Sequence, residues 1–298
     1  MNEMSVKDLT QGFYKEKSFF KEQTKAYYRH VLKSILSFFK EYNINHIKDF
    51  KREHSIDFVT YLRARNNKNS TIKQSIKSLK ALLRYALELG EIEKIHFAKF
   101  KLQDSLSEIE NSELRPFDLK EIQNLINNAK GELKSYLIVA FFTGARTGEL
   151  LGLKKSDIDF LDKKISVRRS LSQNNMLDTP KNKSSFRKMD LLPIVENELK
   201  VICKNKKDDD FIFKMRRNEL RKEFKALQEI LNIYPLRRLY DTRHSFASVM
   251  LSQGEESMWI SKVMLGHSDL NTTFKYYAKY LPKNVTNRAL FLNEIKIS

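Results

Sequence analysis

The chain has 298 residues, 41% of them hydrophobic, with only 8 Gly and 5 Pro; this excludes a fibrous or disordered chain and leaves room for two domains of about 100–200 residues each. The longest apolar run, residues 136–142, is far short of the roughly 20 residues that cross a bilayer, and residues 1–15 lack a signal-peptide core, so a cytoplasmic protein with no membrane partner is expected. Lys and Arg number 55 against 37 Asp and Glu, a formal net charge of +18 spread along the chain, which points to a polyanionic partner, nucleic acid first, while the single Cys203 excludes an intrachain disulfide or Cys-rich zinc site and reads as a small buried hydrophobe.

From about residue 19 to residue 100 the pattern is helical. Tyr27, Val31, Ile35, Phe38 and Phe39 recur at three- and four-residue steps and make one apolar stripe. Ile56, Val59 and Leu62 give a shorter one. Ser70 and Thr71 offer a helix start, followed by Ile72, Ile76, Leu79, Leu82, Leu83, Ala86 and Leu87, with a stop at Gly90. The polar side of this third helix carries Lys73, Lys77, Lys80 and Arg84, a basic face that can lie along a DNA backbone or simply face solvent. Residues 102–115 have little apolar periodicity and read as a linker.

The texture is mixed from Pro116 onward. Asp118 is placed to cap a helix through Ile126, and residues 133–142 form a nearly all-apolar, hence buried, helix. Residues 157–158, 164–169 and 187–194 read as short strands, with Asp162-Lys163 as a turn; a further strand is expected at residues 211–213, and helix resumes from Asn218 with a break at Pro235.

Several chemistries find no support. No glycine-rich loop ends in Gly-Lys-Ser/Thr, and no His-Glu-x-x-His occurs. The acidic run Asp208, Asp209 and Asp210 reads as a charged loop rather than a metal site. Four other segments stand out. Thr143-Gly144-Ala145-Arg146-Thr147-Gly148-Glu149 follows the buried helix; Gly144 permits a sharp turn, and Glu149, three residues past Arg146, can orient its guanidinium or form a plain ion pair with it. The loop from Thr179 to Arg187 carries Lys181 and Lys183. Tyr240-Asp241-Thr242-Arg243-His244 precedes a core face of Phe246, Ala247, Val249 and Met250, so Asp241 is expected as N-cap, with Arg243 and His244 in the first turn. Leu265-Gly266-His267-Ser268 then makes a turn before a short helix with Tyr276 and Tyr277.

Together these supply two arginines, a lysine, a histidine and a hydroxyl nucleophile, without metal ligands. Two guanidiniums can fork onto the oxygens of a phosphate and stabilise its crowded transition state. A phenol can attack phosphorus and hold the strand end. A lysine can protonate the departing oxygen. Such a scheme needs neither cofactor nor ATP.

With Arg146, Arg243-His244 and His267 with Tyr276 in this order and spacing, the chain resembles the tyrosine recombinases of the phage integrase family, from about residue 19 to about residue 281. The resemblance implies a mainly α fold with a small antiparallel β-sheet in the catalytic domain, arranged as a two-domain DNA clamp. It implies an N-terminal helical domain binding core DNA (residues 1–103), a linker (104–115) and a catalytic domain with a C-terminal tail (116–298). It further implies site-specific recombination of double-stranded DNA through a covalent 3′-phosphotyrosine and a Holliday junction, by protomers that dimerise and form a tetrameric synapse.

Residue by residue, Arg146 and Arg243 would clamp the scissile phosphate, Lys181 would be general acid with Lys183 as its rival, His267 would hold a phosphate oxygen, and Tyr276 would be the nucleophile, with Tyr277 as the adjacent alternative. The residue three before the second arginine is usually His or Lys in this family; here it is Tyr240, whose phenol, with an ordinary pKa of about 10, is a hydrogen-bond donor more readily than a base, leaving His244 as the other candidate base. Chromosome or plasmid resolution of the Xer kind and mobile-element integration both fit. A nicking-and-closing topoisomerase and a binding-only regulator are rival classes. Residues 284–298 place Val285, Ala289, Leu290, Leu292 and Ile295 at roughly helical spacing beyond Pro282, an apolar face that can pack in cis or dock on another protomer in trans.

Overall fold

The computed structural model describes residues 4–103, 114–172, 176–178 and 186–281. The chain divides into two compact units, Met1–Glu113 and Leu114–Ser298, each with its own hydrophobic core. Among the described residues no helix is long and apolar enough to cross a membrane. Most of the expected linker, residues 104–113, lies outside the described residues.

The first unit is helical. α1 (Val6–Glu16) starts at Ser5, whose hydroxyl accepts the Asp8 N–H at 3.1 Å. α2 (Glu22–Glu41) buries Val31, Ile35, Phe38 and Phe39 of the stripe read from the sequence and Leu32 besides, with Tyr27 partly buried at its edge. α3 (Arg52–Ala64) turns Phe58 and Tyr61 onto Phe38, at ring-centroid distances of 5.0 and 5.3 Å. Large aromatic rings thus set the rotation of α3, and Ile56 is left half exposed instead of joining Val59 and Leu62 inside. α4 (Asn69–Glu88) buries Ile72, Leu79, Leu82, Leu83 and Ala86 and ends before Gly90 at φ 76°; Leu87 sits on the exposed side rather than in the stripe. Lys73, Lys77 and Arg84 are exposed on α4, and Lys80 lays its ammonium over the Phe97 ring at 4.4 Å.

The second unit opens with α5 (Leu119–Asn128). It is capped as expected by Asp118, which accepts from the Glu121 N–H at 2.8 Å, while Glu121 in turn accepts the Asp118 N–H. α6 (Gly131–Thr143) buries Leu133, Tyr136, Leu137, Val139, Ala140 and Phe141, so both flanks of it are core. It ends at Gly144 with φ 63°. A Cβ there would lie 2.6 Å from Phe246 Cδ1 and 2.8 Å from Leu265 Cδ2, so conformation and space both demand glycine. α7 (Thr147–Leu151) follows at once.

A three-stranded antiparallel sheet has the order β1 (Ile158–Asp159), β2 (Lys164–Val167), β5 (Arg187–Asp190). Ile165 pairs with Ile158 on one side and Met189 on the other, and Ile165, Val167 and Met189 face the core. The Lys163 turn has φ 53°. β3 (Ser170–Leu171) and β4 (Leu177–Asp178) pair as a separate two-stranded ribbon. The strand expected over residues 187–194 stops at Asp190, because Pro193 begins α8 (Pro193–Cys203), a helix not anticipated from the sequence. Residues 211–213 make a single bridge, Phe211 with Lys154, rather than a strand. Cys203 is buried, and burial pushes its thiol pKa up.

α9 (Arg217–Ile230) and α10 (Asp241–Ser252) follow, then a π-helical segment, Trp259–Leu265, closed by Gly266 in the left-handed conformation (φ 65°). α11 (Leu270–Tyr277) is capped by Asp269, which accepts the Asn271 N–H at 3.0 Å. Asp241 is the first residue of α10 and not its cap. Its carboxylate is taken by Arg238, whose backbone N–H donates at 2.7 Å and whose Nη2 donates at 3.0 Å.

Candidate active site

Helix ends build the centre of the site. The last carbonyls of a helix have no intrahelical partner. Gly144 closes α6 and Leu265 closes the π segment; Arg243, in the first turn of α10, donates from Nη1 to Gly144 O and from Nη2 to Leu265 O, each at 2.8 Å. The bonds satisfy two orphan carbonyls and fix the guanidinium plane. Arg243 is only 1% exposed. Burial and the neighbouring Arg146 lower its pKa to about 10, which leaves it charged at neutral pH.

Arg146 caps α7. Its own N–H donates to Glu149 Oε2 at 2.9 Å, and its Nη1 to Glu149 Oε1 at 2.7 Å, the orienting bond that the three-residue spacing suggests. Glu149 is buried between two guanidiniums. Arg187, at the head of β5, donates from Nη2 to Glu149 Oε2 at 3.0 Å and from Nε to the Met264 carbonyl at 2.9 Å. Burial by itself raises the Glu149 pKa, but Arg187, Arg146 and Arg243 outweigh it and hold the carboxyl at about 2. Two guanidiniums thus hold one buried carboxylate, and a third, Arg243, adds its charge nearby. Of the three arginines Arg146 is the most open, its side chain 35% exposed.

His267 follows the Gly266 turn. Its N–H donates to Ser261 O at 2.9 Å, and its Nδ1 lies 2.8 Å from Thr273 Oγ1 of α11, which leaves Nε2 as the ring nitrogen not engaged by Thr273. Burial, and then Arg243, Arg146 and Arg187, lower its pKa to about 3, so the imidazole is neutral at pH 7 and lies within the field of all three arginines. His244 sets its Nδ1 2.5 Å from the Tyr277 hydroxyl, and burial lowers its pKa to about 4. The Tyr240 ring meets His244 edge-on at 5.1 Å and is itself 43% exposed.

The adjacent tyrosines differ sharply. Tyr277 is 2% exposed, and burial drives its phenol pKa well above the ordinary value. Tyr276 is 45% exposed on the outer side of α11. The accessible phenol is therefore Tyr276.

The structure brings Arg146, Glu149, Arg243, His244, His267 and Tyr240 together with the helix of Tyr276. Lys181 and Lys183 lie outside the described residues, as does the tail. Lys73, Lys77, Lys80 and Arg84 belong to the other unit. The sequence gives no role to Arg187 or Thr273, the partners of Glu149 and His267, and it offers Tyr277 only as an alternative nucleophile, not as the partner of His244. Arg187 shares a strand face with buried Met189, a period of two that marks it as inward-facing. Among the described residues no cluster of three His, Cys, Asp or Glu side chains is placed to hold a metal ion. In the acidic run, Asp209 pairs with Lys154 at 2.8 Å and Asp210 accepts the Lys207 N–H at 2.8 Å.

Comparison with known proteins places the chain in a family. The phage integrase family model matches residues 113–283, and the model of its N-terminal SAM-like domain matches residues 14–90. The chain is 29% identical over 263 residues to a "Tyrosine recombinase XerC-like" of Caldanaerobacter subterraneus subsp. tengcongensis, covering 77% of this chain and 67% of that one. It is 30% identical over 203 residues to the ICEBs1 integrase of Bacillus subtilis, covering 61% and 54%. In fold it is similar to the Tn1549 transposon integrase, a structure solved in complex with a circular intermediate DNA, at a TM-score of 0.76 and 20% identity over 92% of this chain and 95% of that one. The chain belongs to the phage integrase family and is a site-specific tyrosine recombinase.

Proposed function

We propose that the chain cleaves and rejoins double-stranded DNA by attack of the Tyr276 phenol on a backbone phosphate. The Tyr276 Oη–P bond forms as the bond from phosphorus to the 5′ oxygen breaks. This gives a 3′-phosphotyrosine and a free 5′ hydroxyl, and the reverse reaction by another strand end reseals the DNA through a Holliday junction. Arg146 and Arg243 carry the charge of the five-coordinate phosphorus, and His267 holds an oxygen of it. Lys181 gives the departing oxygen its proton, and Tyr240 donates a hydrogen bond to phosphate. The observation that carries this reading is the buried Glu149 carboxylate holding Arg146 and Arg187, with Arg243 fixed on two helix-end carbonyls, beside a neutral histidine and an exposed tyrosine. With its Nδ1 bonded to Tyr277, His244 serves better to hold that phenol than to accept the Tyr276 proton. A suicide substrate nicked near the recombination site, run on a denaturing gel in EDTA, is expected to trap a covalent protein–DNA adduct. Absence of any adduct on the protein's own site would refute strand transfer.

The helical unit, residues 1–103, supplies sequence-independent affinity in this proposal, through Lys73, Lys77, Lys80 and Arg84 of α4. Every phosphate that a removed cation no longer neutralises lowers the slope of log K against log salt by about one. The quadruple alanine variant is expected to flatten that slope accordingly. An unchanged slope in a salt titration of half-site binding removes this face from the interface.

In the same proposal the protein works in the cytoplasm and assembles on DNA as dimers and tetramers, with residues 284–298 docking on a neighbour. Truncation after Leu281 is expected to preserve monomer binding to a half-site and to weaken cooperative binding to a full site, as read by gel shift. Full-site assembly as tight as that of the intact chain would leave the tail no role in trans.

A further inference from the structure

Only two residues of α11 are buried, Thr273 and Tyr277. They lie four apart, one above the other on a single helix face. Each presents a hydroxyl to a histidine of the site: Thr273 Oγ1 stands 2.8 Å from His267 Nδ1, and the Tyr277 hydroxyl stands 2.5 Å from His244 Nδ1. The helix is thus tied to the site at two heights, once to the turn after the π segment and once to α10, the helix that also carries Arg243. Tyr276 is rotated by about 100° from Tyr277 around the axis, which directs it off the buried face.

The two adjacent phenols create a problem that this arrangement solves. With Tyr at both positions, a one-residue slip or a roll of about 100° of the short helix would present either hydroxyl. His244 Nδ1 lies 2.5 Å from one phenol, that of buried Tyr277. With Tyr277 there, Tyr276 is left outside. The His267–Thr273 bond alone would fix the N-terminal end of the helix and leave its C-terminal end, where the nucleophile sits, free to roll.

We infer that Tyr277 is a positioning residue for the reaction, whose hydroxyl on His244 fixes the rotation of α11 and thereby the reach of Tyr276. The inference rests on the strand-transfer reading and assigns to Tyr277 no bond to DNA. Tyr277→Phe keeps the ring and removes the hydroxyl. His244→Ala removes the hydroxyl's partner, and His244→Asn restores a polar atom near the Nδ1 position.

The experiment measures half-site DNA affinity and the single-turnover rate of adduct formation on the nicked suicide substrate for wild type and the three variants. Tyr277→Phe and His244→Ala are expected to bind DNA as wild type does and to form adduct on the order of 10- to 100-fold more slowly, the scale of a small misplacement of a reacting group. His244→Asn is expected to recover most of the rate. A wild-type rate in Tyr277→Phe overturns the inference while the strand-transfer reading stands. No adduct from wild type fails that reading first. A loss of binding in proportion to the loss of rate, with no recovery in His244→Asn, or failure of all three variants to fold, makes the pair structural only and overturns the positioning role.

Discussion

Tyr276→Phe is expected to abolish covalent capture of DNA while half-site binding persists. The phenol oxygen is the atom that would bond to phosphorus, and no neighbouring group can replace it. Tyr277 is the only other phenol on α11, and it is enclosed. Its hydroxyl is held at His244, and burial raises the pH at which it could ionise. The expected loss is therefore complete to the detection limit of a denaturing gel. It differs in kind from the slowing expected of Tyr277→Phe. A clear adduct band from Tyr276→Phe, mapped by mass spectrometry to Tyr277, would reverse the assignment of the two tyrosines.

Glu149→Gln is expected to destabilise the second unit by about 3–5 kcal/mol at pH 7, the cost of breaking a buried ion pair and leaving charge uncompensated. Arg187 and Glu149 have side-chain exposures of 6% and 3%, so water can screen neither. The substitution leaves the Arg146 and Arg187 guanidiniums facing an amide and removes the negative charge that offsets Arg243. The effect must depend on pH in a particular direction. The folded carboxyl titrates at about 2, below its ordinary value of about 4.3. Its contribution is complete above the unfolded value and is lost as pH falls through the folded one. Urea unfolding should therefore show wild type losing its advantage over Glu149→Gln between about pH 4.5 and pH 2. A constant difference across that range would mean that the carboxylate charge is not what holds the arginines. Since Arg146 is oriented by the same carboxylate, adduct formation should fall with stability even at temperatures where the variant remains folded.

Much of this site can be read from the order of residues. Glycine at 144, arginine at 146 and glutamate at 149 follow an apolar helix, and each does locally what its type allows: a left-handed exit, a partly open charge, a three-residue ion pair. His267 and Tyr276 flank a turn and a short helix for similarly local reasons. What escapes the sequence is non-local. Arg187 meets Glu149 across 38 residues and Tyr277 meets His244 across 33, and no periodicity records which strand or helix will lie opposite. In the first unit the apolar spacing of α3 points toward Ile56, but ring packing on Phe38 chooses the rotation. α8 is hidden by the apolar run through Pro193, which reads as strand until the proline is taken as a helix start.

The π segment, Trp259–Leu265, hands its Met264 carbonyl to Arg187 and its Leu265 carbonyl to Arg243. These are main-chain groups, so the identities of Met264 and Leu265 matter to the arginines only through the backbone path they sit on. Substitutions here can drift as long as the side chains still fill the core. An inserted or deleted residue is another matter: restoring an ordinary helical turn rotates successive carbonyls by about 100° and moves both acceptors off their guanidiniums at once. The segment is thus permissive to changes of spelling and intolerant of changes of length. Loop grafting or indel variation near this site has to keep the 259–265 count intact even where Met264 and Leu265 are replaced by side chains of similar size, and Trp259 still has to reach the Asp190 carboxylate.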